Sequence, residues 1–338
     1  MKQTVGIIIG VGLLIGGGFL LFNNQNPGQN SDEEQGLEIT TSFYPLEFAL
    51  ERIVGELGTV INIGAGRDPH DFEPSTQNLV AMKRADAVVL QGADFEPWGD
   101  AVVASLKADN VSVIIATSDI ELHEGGHEHG EDGSDNDAHA SEREEEHEDE
   151  SHGDEHDDGH DDDNEHGAYD PHTWLDPVLF SEMVGHLAEK IATLDPSNAD
   201  TYMKNAATLQ TELASLHAQY ENRFTGCELD EVITSHDAFG YLGDRYDFEI
   251  HAIAGLSTQD TPSATTLASL KVEAEEGIGA ILLEENSITA YGETLARETG
   301  LQTLSINPIS HVIPVDEDYF TLMQKNLDAF ATALACNE

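Results

Sequence analysis

The sequence predicts an α/β protein of two similar lobes, each built on a parallel sheet, with a long helix joining them and a cleft between them. Short apolar runs rich in β-branched residues alternate with helical segments over residues 37–116, and the alternation returns over residues 231–336. Such alternation is typical of parallel sheets with crossover helices. A purely helical stretch, 177–224, separates the two blocks, and 338 residues are enough for two lobes with their own cores.

The first block predicts four strands that alternate with three helices. The strands are LEITTSF (37–43), TVINIGAG, AVVLQGA and VSVIIAT, and the helices run from Pro45 to Leu57, Ser75 to Ala85 and Trp98 to Ala108. Proline suits the first turn of the first helix, where its missing N–H would have had no partner. Ser75 is placed to act as an N-cap.

The middle stretch predicts two helices, Pro177 to Leu194 and Ala199 to about Phe224. At 1.5 Å per residue the second would span about 40 Å. That is enough to cross from one lobe to the other.

The second block repeats the pattern of the first. Its strands are EVITS, FEIHAIA, AILL and LQTLSI, and its helices run from Ala238 to Tyr246, Pro262 to Glu276, Ala290 to Thr299 and Asp316 to Cys336. Because ligands of such sheets bind beyond the carboxyl ends of the strands, we expect the binding site in the cleft.

These elements predict five segments along the chain. They are a membrane anchor or signal segment (1–22), a tether (23–36), an N-terminal lobe (37–194) that contains a disordered loop rich in histidine and acid (121–168), a linking helix (195–226) and a C-terminal lobe (227–338).

The first segment predicts attachment to a membrane. Val5 to Phe22 is an uncharged apolar run of 18 residues after Lys2, long for the core of a signal peptide and just long enough to span a bilayer. Neither a small-x-small cleavage site nor a cysteine for lipid attachment follows it. We expect a retained anchor, with the rest of the chain at the outer face of the cytoplasmic membrane. Cleavage, which would leave the protein secreted or periplasmic, is the alternative.

The chain is strongly acidic, with 66 acidic and 14 basic residues and a formal charge of -52. Residues 121–166 hold 22 of the acidic residues and one basic residue, so 44 acidic and 13 basic residues remain elsewhere. The charge disfavours nucleic acid as a partner, since Lys and Arg are the residues that bind its phosphates. Such a surface is typical of proteins from high-salt organisms.

Residues 123–166 form a tract with nine of the sixteen histidines. Low apolar content and like charge indicate that this tract does not fold. We interpret it as an accessory that holds metal weakly, through His127, His129, His152, His156, His160 and His166, beside a tight site elsewhere. A solvated acidic loop is the alternative.

The two cysteines, Cys227 and Cys336, leave two interpretations open. Outside the cell they could form a disulfide. They could equally be two small buried apolar residues.

Three histidines follow predicted strands at their carboxyl ends. His70 follows the second strand, His172 follows the fourth strand after the tract, and His236 ends the first strand of the second block. Each is flanked by Asp or Pro, and each belongs on the cleft side of its lobe. The spacing alone allows either polar loop residues or a shared metal site.

Four stretches in this order carry a resemblance to a known family. PHDFEPS (69–75), GADFEPW (92–98), DPHTWLDP (170–177) and SHDAFGYL (235–242) resemble the signature stretches of the metal-binding solute receptors of zinc and manganese ABC importers. The resemblance covers about residues 37–335 apart from the tract, and a His- and acid-rich tract is similar to those of the zinc branch. It implies two α/β lobes, a long backbone helix, and His70, His172 and His236 as ligands in the cleft. It also implies a monomeric receptor, not an enzyme, that delivers metal to an ABC permease.

One stretch departs from the family pattern. The family often has a ligand Asp after the last strand, whereas this chain has Asn307 in INPIS. Three neutral imidazoles suit Zn²⁺, while Mn²⁺ prefers carboxylate oxygens. The fourth position is left to Asn307, Glu284, Glu285, His311 or water.

The sequence argues against several other functions. Ser235, His236 and Asp237 are consecutive, so they cannot form the hydrogen-bonded chain of a catalytic triad. A zinc-dependent hydrolase would need a general base facing the metal-bound water, and none of His70, His172 and His236 stands in an HExxH element. The one HExxH match, HEGGH at 123–127, opens the tract that is predicted not to fold. A storage protein would leave the four stretches unexplained. A Mn²⁺ or Fe²⁺ receptor of the same family is the main alternative.

Overall fold

The computed structural model describes residues 36–92, 95–124, 169–284, 289–310 and 313–337. The described residues, from Gly36 onward, pack as one unit. Residues 1–35, which hold the predicted anchor and all but the last residue of the predicted tether, lie outside the described residues. So do residues 125–168, which hold most of the tract. Within the described ranges no helix combines the length and the apolar character that crossing a bilayer requires.

The N-terminal sheet contains, among the described residues, four parallel strands in the order β2-β1-β3-β4. They are β1 (Leu37–Thr41), β2 (Gly58–Asn62), β3 (Ala87–Leu90) and β4 (Ser112–Ile115). The connecting helices are α1 (Tyr44–Val54), α2 (Thr76–Met82) and α3 (Gly99–Ala108). β3 is buried along its whole length, which explains its unbroken apolar sequence AVVL. Ser75 caps α2, and its side chain forms a reciprocal capping box with Asn78.

Two long helices, α4 (Pro177–Leu194) and α5 (Ala199–Arg223), follow the first sheet. α5 buries one apolar stripe with steps of three and four residues, made of Tyr202, Ala206, Leu209, Leu213, Leu216 and Tyr220. It contacts both lobes: Asn205 donates to the carbonyl of Ile53 on α1 at 2.9 Å, and the Tyr220 hydroxyl donates to the carbonyl of Met323 at 2.6 Å. α5 therefore holds the two halves against a common support.

The C-terminal sheet repeats the order of the first, β6-β5-β7-β8, and the described strands are again all parallel. Its elements in chain order are β5 (Glu231–His236), α6 (Gly240–Tyr246), β6 (Glu249–Ala254), α7 (Ala264–Glu276), β7 (Ala280–Glu284), α8 (Ala290–Thr299), β8 (Gln302–Ile306) and α9 (Tyr319–Ala333). In this order the central strands β5 and β7 are neighbours from which the chain departs in opposite directions. A crevice opens at such a switch point.

The two cysteines form a disulfide in the structure, Cys227 to Cys336. It joins the chain shortly after α5 to the segment after α9. Of the two interpretations that the sequence left open, the structure has the bonded one.

The predicted fold class is confirmed, and the element ends differ where caps decide them. α9 begins at Tyr319 rather than at Asp316, because the Asp318 side chain accepts the backbone N–H of Thr321 as its N-cap. α7 likewise begins after Ser263, whose hydroxyl accepts the N–H of Thr266. The position at which one lobe passes into the next stays a prediction.

Candidate metal centre

The structure brings His70, His172 and His236 together. His70 lies in the loop after β2, His172 precedes a short 3-10 helix (Thr173–Leu175), and His236 is the last residue of β5. One ring nitrogen from each lies within 4.8 Å of the other two. The nitrogens of a tetrahedral zinc site lie about 3.4 Å apart, from Zn–N bonds of about 2.05 Å. Small movements of the side chains would thus let one cation reach all three.

His172 is held with one nitrogen aimed into the site. Its Nδ1 lies 2.7 Å from Oδ1 of Asp170, which also accepts the backbone N–H of His172 at 2.9 Å. The carboxylate fixes the proton on Nδ1 and leaves the lone pair on Nε2. His172 is 1% exposed, and its Nε2 has no hydrogen-bond partner among the described residues. A buried nitrogen in this state requires a partner, and a cation fits.

The turn that carries His172 is anchored to the first sheet. Gln91, just after β3, donates through Nε2 to the carbonyl of Pro171 at 2.7 Å and to the hydroxyl of Thr173 at 3.0 Å. These bonds lie on either side of His172 in sequence. They fix its position relative to the strand ends of the N-terminal sheet.

His236 is paired with Glu284 at the switch point of the second sheet. The two residues end β5 and β7, which pair directly. Oε1 of Glu284 contacts Nδ1 of His236, and both side chains are buried. Oε2 is also buried and has no hydrogen-bond partner in the described part of the chain. A carboxylate is an ordinary zinc ligand, but the ligand atoms that lie within 4.8 Å of one another come from the three histidines, so the Glu284 side chain would have to move toward the ion to bind it.

His70 is the most exposed of the three histidines. Its backbone N–H donates to Oδ1 of Asp68 at 3.0 Å, and Oδ2 of Asp68 accepts the hydroxyl of Thr258 at 2.7 Å. Thr258 lies in the loop after β6. The loop that carries His70 is therefore hydrogen-bonded across the cleft to the second lobe.

Aromatic residues form the wall behind the site. Phe95 is 2% exposed and contacts the ring of His70 edge-on, with centroids 5.1 Å apart. It also packs against Trp174 at 5.2 Å, whose ring lies 5.2 Å from that of His172. This wall excludes water from one side and lowers the local dielectric.

Glu96 holds the loop that carries Phe95, a role that sequence reasoning missed. The carboxylate is buried and accepts the N–H groups of Gln91 and Gly92 and the hydroxyl of Ser42, at 2.9, 3.1 and 2.6 Å. Gly92 has φ of 84°, in the left-handed region, which favours glycine here. Burial raises the pKa of Glu96, and the three donors oppose this. The signal available in the sequence was the hydrogen-bond acceptor that Glu96 places within the stretch GADFEPW.

The environment separates the protonation of the three imidazoles. Burial, together with the two neighbouring imidazoles, lowers the pKa of His70 to about 3. Burial and the charge of His236 lower the pKa of His172 well below its ordinary value. Burial acts in the same direction on His236, but the Glu284 carboxylate outweighs it and the pKa is raised. At neutral pH the site therefore offers two neutral imidazoles, while His236 holds its proton to a higher pH than an ordinary imidazole.

The other candidates for a fourth ligand fare differently. Asn307 is engaged in a turn: its Oδ1 accepts the N–H of Ile309 at 2.7 Å, and its backbone N–H and carbonyl both bond the Asn326 side chain. Its amide oxygen is therefore committed to the backbone. Glu285 and His311 lie outside the described residues, as do the six histidines of the tract named above.

A second group of ligand-type residues lies at the opposite end of the C-terminal sheet, where its strands begin. Glu231 and Glu249 begin β5 and β6, and with His251 they form a cluster beside an acidic cavity of about 360 Å³. Nε2 of His251 lies 3.2 Å from Glu231, and Nδ1 lies 3.2 Å from Glu273. The imidazole is thus already engaged by carboxylates, and we assign no ion to this group.

A two-lobed α/β fold whose strand ends direct histidines into one shared cleft defines a metal-binding receptor of the solute-receptor class. Residues 39–333 match the model of the family described as zinc-uptake complex component A, periplasmic (ZnuA), and the chain belongs to this family.

Curated relatives and solved structures are similar to the chain over most of its length. It is 33% identical over 299 residues to the zinc-binding lipoprotein AdcA of Streptococcus pneumoniae. The matched region covers 87% of this chain and 55% of the relative. It is 32% identical over 318 residues to the high-affinity zinc uptake system protein ZnuA of Bacillus subtilis, with 92% of each covered. The chain thus spans about half the length of the AdcA relatives and nearly all of this ZnuA.

Two of the similar structures come from streptococci. A mutant of the laminin-binding adhesin Lmb of Streptococcus agalactiae superposes with a TM-score of 0.73 at 25% identity, covering 88% of this chain and 100% of that one. A Zn(II)-bound mutant of AdcAII from S. pneumoniae superposes with a TM-score of 0.72 at 26% identity, covering 89% and 99%.

Proposed function

We propose that this protein is an extracytoplasmic receptor that captures Zn²⁺ in the cleft between its lobes and delivers it to an ABC permease. The observation that carries the proposal is the cluster of ring nitrogens, one each from His70, His172 and His236, together with the buried Nε2 of His172, which has no hydrogen-bond partner among the described residues. Family membership and relatives named as zinc-binding and zinc-uptake proteins support the same cargo.

The ligand set we propose is His70, His172, His236 and Oε2 of Glu284. Three imidazoles and one carboxylate fill a tetrahedral shell, and the single negative charge leaves a net charge of about +1 on the complex. Mn²⁺ favours more oxygen ligands than this set offers. A filled shell leaves no position for an activated water, which favours a carrier over a hydrolase.

Zinc titration of a chain that lacks residues 125–168 tests this ligand set. We expect one tight equivalent of zinc, preferred over Mn²⁺ in competition. Replacing both His70 and His172 by alanine should abolish it. His217→Ala is the matched control, since His217 lies on α5 and contacts Tyr246. Retention of the tight equivalent by the double variant, or preference for Mn²⁺, would refute the proposed site or its selectivity.

The tract is proposed as an accessory that keeps weakly bound zinc near the cleft. A floppy chain must be ordered to bind an ion, which weakens each such site. Deletion of residues 125–168 should therefore remove several weak equivalents and slow uptake only at limiting zinc. Loss of the tight equivalent on deletion would show that the tract is the receptor.

Anchoring by residues 1–22, action as a monomer and docking of both lobes on a permease complete the proposal. An anchor keeps the receptor close to its permease and so raises its effective concentration. Uptake by cells that carry the chain without residues 1–30 checks this point. Full uptake by the freely diffusing protein would show that the anchor is dispensable.

A further inference from the structure

We propose that Tyr241 is a positioning residue for zinc binding, which ties the base of the tract and the second lobe to the carboxylate that orients His172. The inference rests on the function proposed above. It adds a residue that touches neither the cation nor its ligands.

The base of the tract consists of the described residues on its two sides, His123–Glu124 and Tyr169–Asp170. Glu124 and Tyr169 form an antiparallel bridge, and the N–H of Asp170 donates to the carbonyl of His123 at 3.0 Å. The two ends of the tract are thus paired to each other directly before His172.

The Tyr241 hydroxyl lies between these two short segments. It accepts the N–H of His123 at 3.0 Å and donates to the carbonyl of Asp170 at 2.7 Å. Tyr241 is 2% exposed, so water has little access to replace it. Burial raises the pKa of this phenol above its ordinary value, and the hydroxyl therefore keeps its proton and donates it. One oxygen serves both segments.

The Asp170 residue held in this way is also the residue that orients His172. Its main-chain carbonyl bonds Tyr241, while its side chain accepts the Nδ1 proton and the backbone N–H of His172. A shift of the Asp170 backbone would move the carboxylate and with it the direction of the His172 lone pair. Tyr241 therefore acts on the ligand through one intermediate residue.

The position of Tyr241 connects ligands of both lobes. It lies in the first turn of α6, five residues after His236 along the chain. The ring of His123 stacks on that of Tyr241 with centroids 4.2 Å apart, and Nδ1 of His123 lies 3.3 Å from Asp244 on the same helix. These contacts therefore join the segment that begins with His236 to the segment that ends with His172.

The test is the substitution Tyr241→Phe in the full chain, with Tyr246→Phe as control. Tyr246 lies on the same helix, and its hydroxyl contacts His217 rather than the base of the tract. Zinc release is followed in a stopped-flow instrument at one fixed chelator concentration, and the visible spectrum of the Co²⁺-loaded proteins reports ligand geometry. Substitutions that disturb the partner of a metal-binding histidine change affinity about 10- to 100-fold. Because Tyr241 acts one residue further away, we expect release about 3- to 10-fold faster and a changed Co²⁺ spectrum.

The control should release zinc within about twofold of the unaltered chain, which is close to the scatter for sites outside the network. The inference would be overturned if Tyr241→Phe and Tyr246→Phe released zinc at the same rate and gave identical Co²⁺ spectra. A lower melting temperature of metal-free Tyr241→Phe would not change that conclusion. The variant His123→Ala keeps the backbone N–H that Tyr241 accepts and should leave the Co²⁺ spectrum unchanged; a change as large as that of Tyr241→Phe would assign the effect to the ring stack instead. Absence of tight zinc in the unaltered chain would overturn both this inference and the proposed function.

Discussion

Replacing Glu284 by glutamine tests how the cleft balances charge. Glu284 is 2% exposed and supplies the negative charge we assign to the zinc shell. Glutamine keeps the shape and a weaker oxygen ligand but removes the charge, so the buried complex changes from about +1 to +2. Removing one partner of a buried charge pair costs about 3–5 kcal/mol. We take about 3 kcal/mol because the amide oxygen still reaches the ion, and at 1.36 kcal/mol per decade this is a loss of about 150-fold in affinity.

The assay is competition with a chromogenic chelator at pH 7.5, with Glu212→Gln as control. Glu212 pairs with Arg52 at 2.6 Å on the partly exposed face of α5, so this control removes one carboxylate away from the strand ends. The control should bind zinc as the unaltered chain does. A Glu284→Gln protein with unchanged affinity would show that the carboxylate orients His236 without binding the ion.

Three further predictions concern protons, the orienting carboxylate and the disulfide. Zinc affinity should fall as the pH drops through the raised pKa of His236, with about one proton displaced per zinc rather than three, because the pKa values of the other two histidines are lowered and these rings are already neutral; titration from pH 5.5 to 8 gives the slope, and a slope of three would contradict the assignment. Asp170→Asn should weaken zinc binding about 10- to 100-fold with the melting temperature of the metal-free protein nearly unchanged, measured by chelator competition and calorimetry; full affinity would show that His172 needs no charged partner. Replacing Cys227 and Cys336 by serine, which opens a link across 109 residues of sequence, should cost about 2–5 kcal/mol in the free energy of unfolding, and an unchanged denaturation midpoint would contradict it.

The sequence predicted the ends of a helix where a single proline or glycine marks them. α4 runs from Pro177 to Leu194 and α8 from Ala290 to Thr299, as expected, since Pro177 marks one start and Gly300 one end. The start of α9 was wrong by three residues because two aspartates two residues apart both resemble N-caps. Only the folded backbone shows that Asp316 adopts a left-handed conformation, with φ of 71°, and that Asp318 caps the helix.

The three histidines could be placed at the cleft because each lies at or beyond the end of a strand, and parallel strands end at one edge of a sheet. Their choice as ligands came from the family resemblance, since the spacing alone also allowed polar loop residues. The contact of Glu284 with His236 could not be predicted, because the face to which a strand residue points depends on the register, and that of β7 is set by its pairing with β5 and β8. The contact of Asp170 with His172 could have been inferred from the sequence, because the two residues stand two positions apart in DPH. The contact of Tyr241 with the base of the tract had none, because it joins residues 71 and 118 positions apart.

The unequal burial of the three imidazoles has a consequence for the kinetics of exchange. His172 and His236 are 1% and 2% exposed, whereas His70 lies partly exposed on its loop. An incoming ligand therefore reaches the ion from the side of His70. It can replace His70 as a ligand while the rings of His172 and His236 stay bound to the ion. This arrangement favours associative exchange, in which an acceptor binds before the donor lets go. The observed off-rate should then rise with acceptor concentration, and the ion need never be free in solution between the receptor and its acceptor.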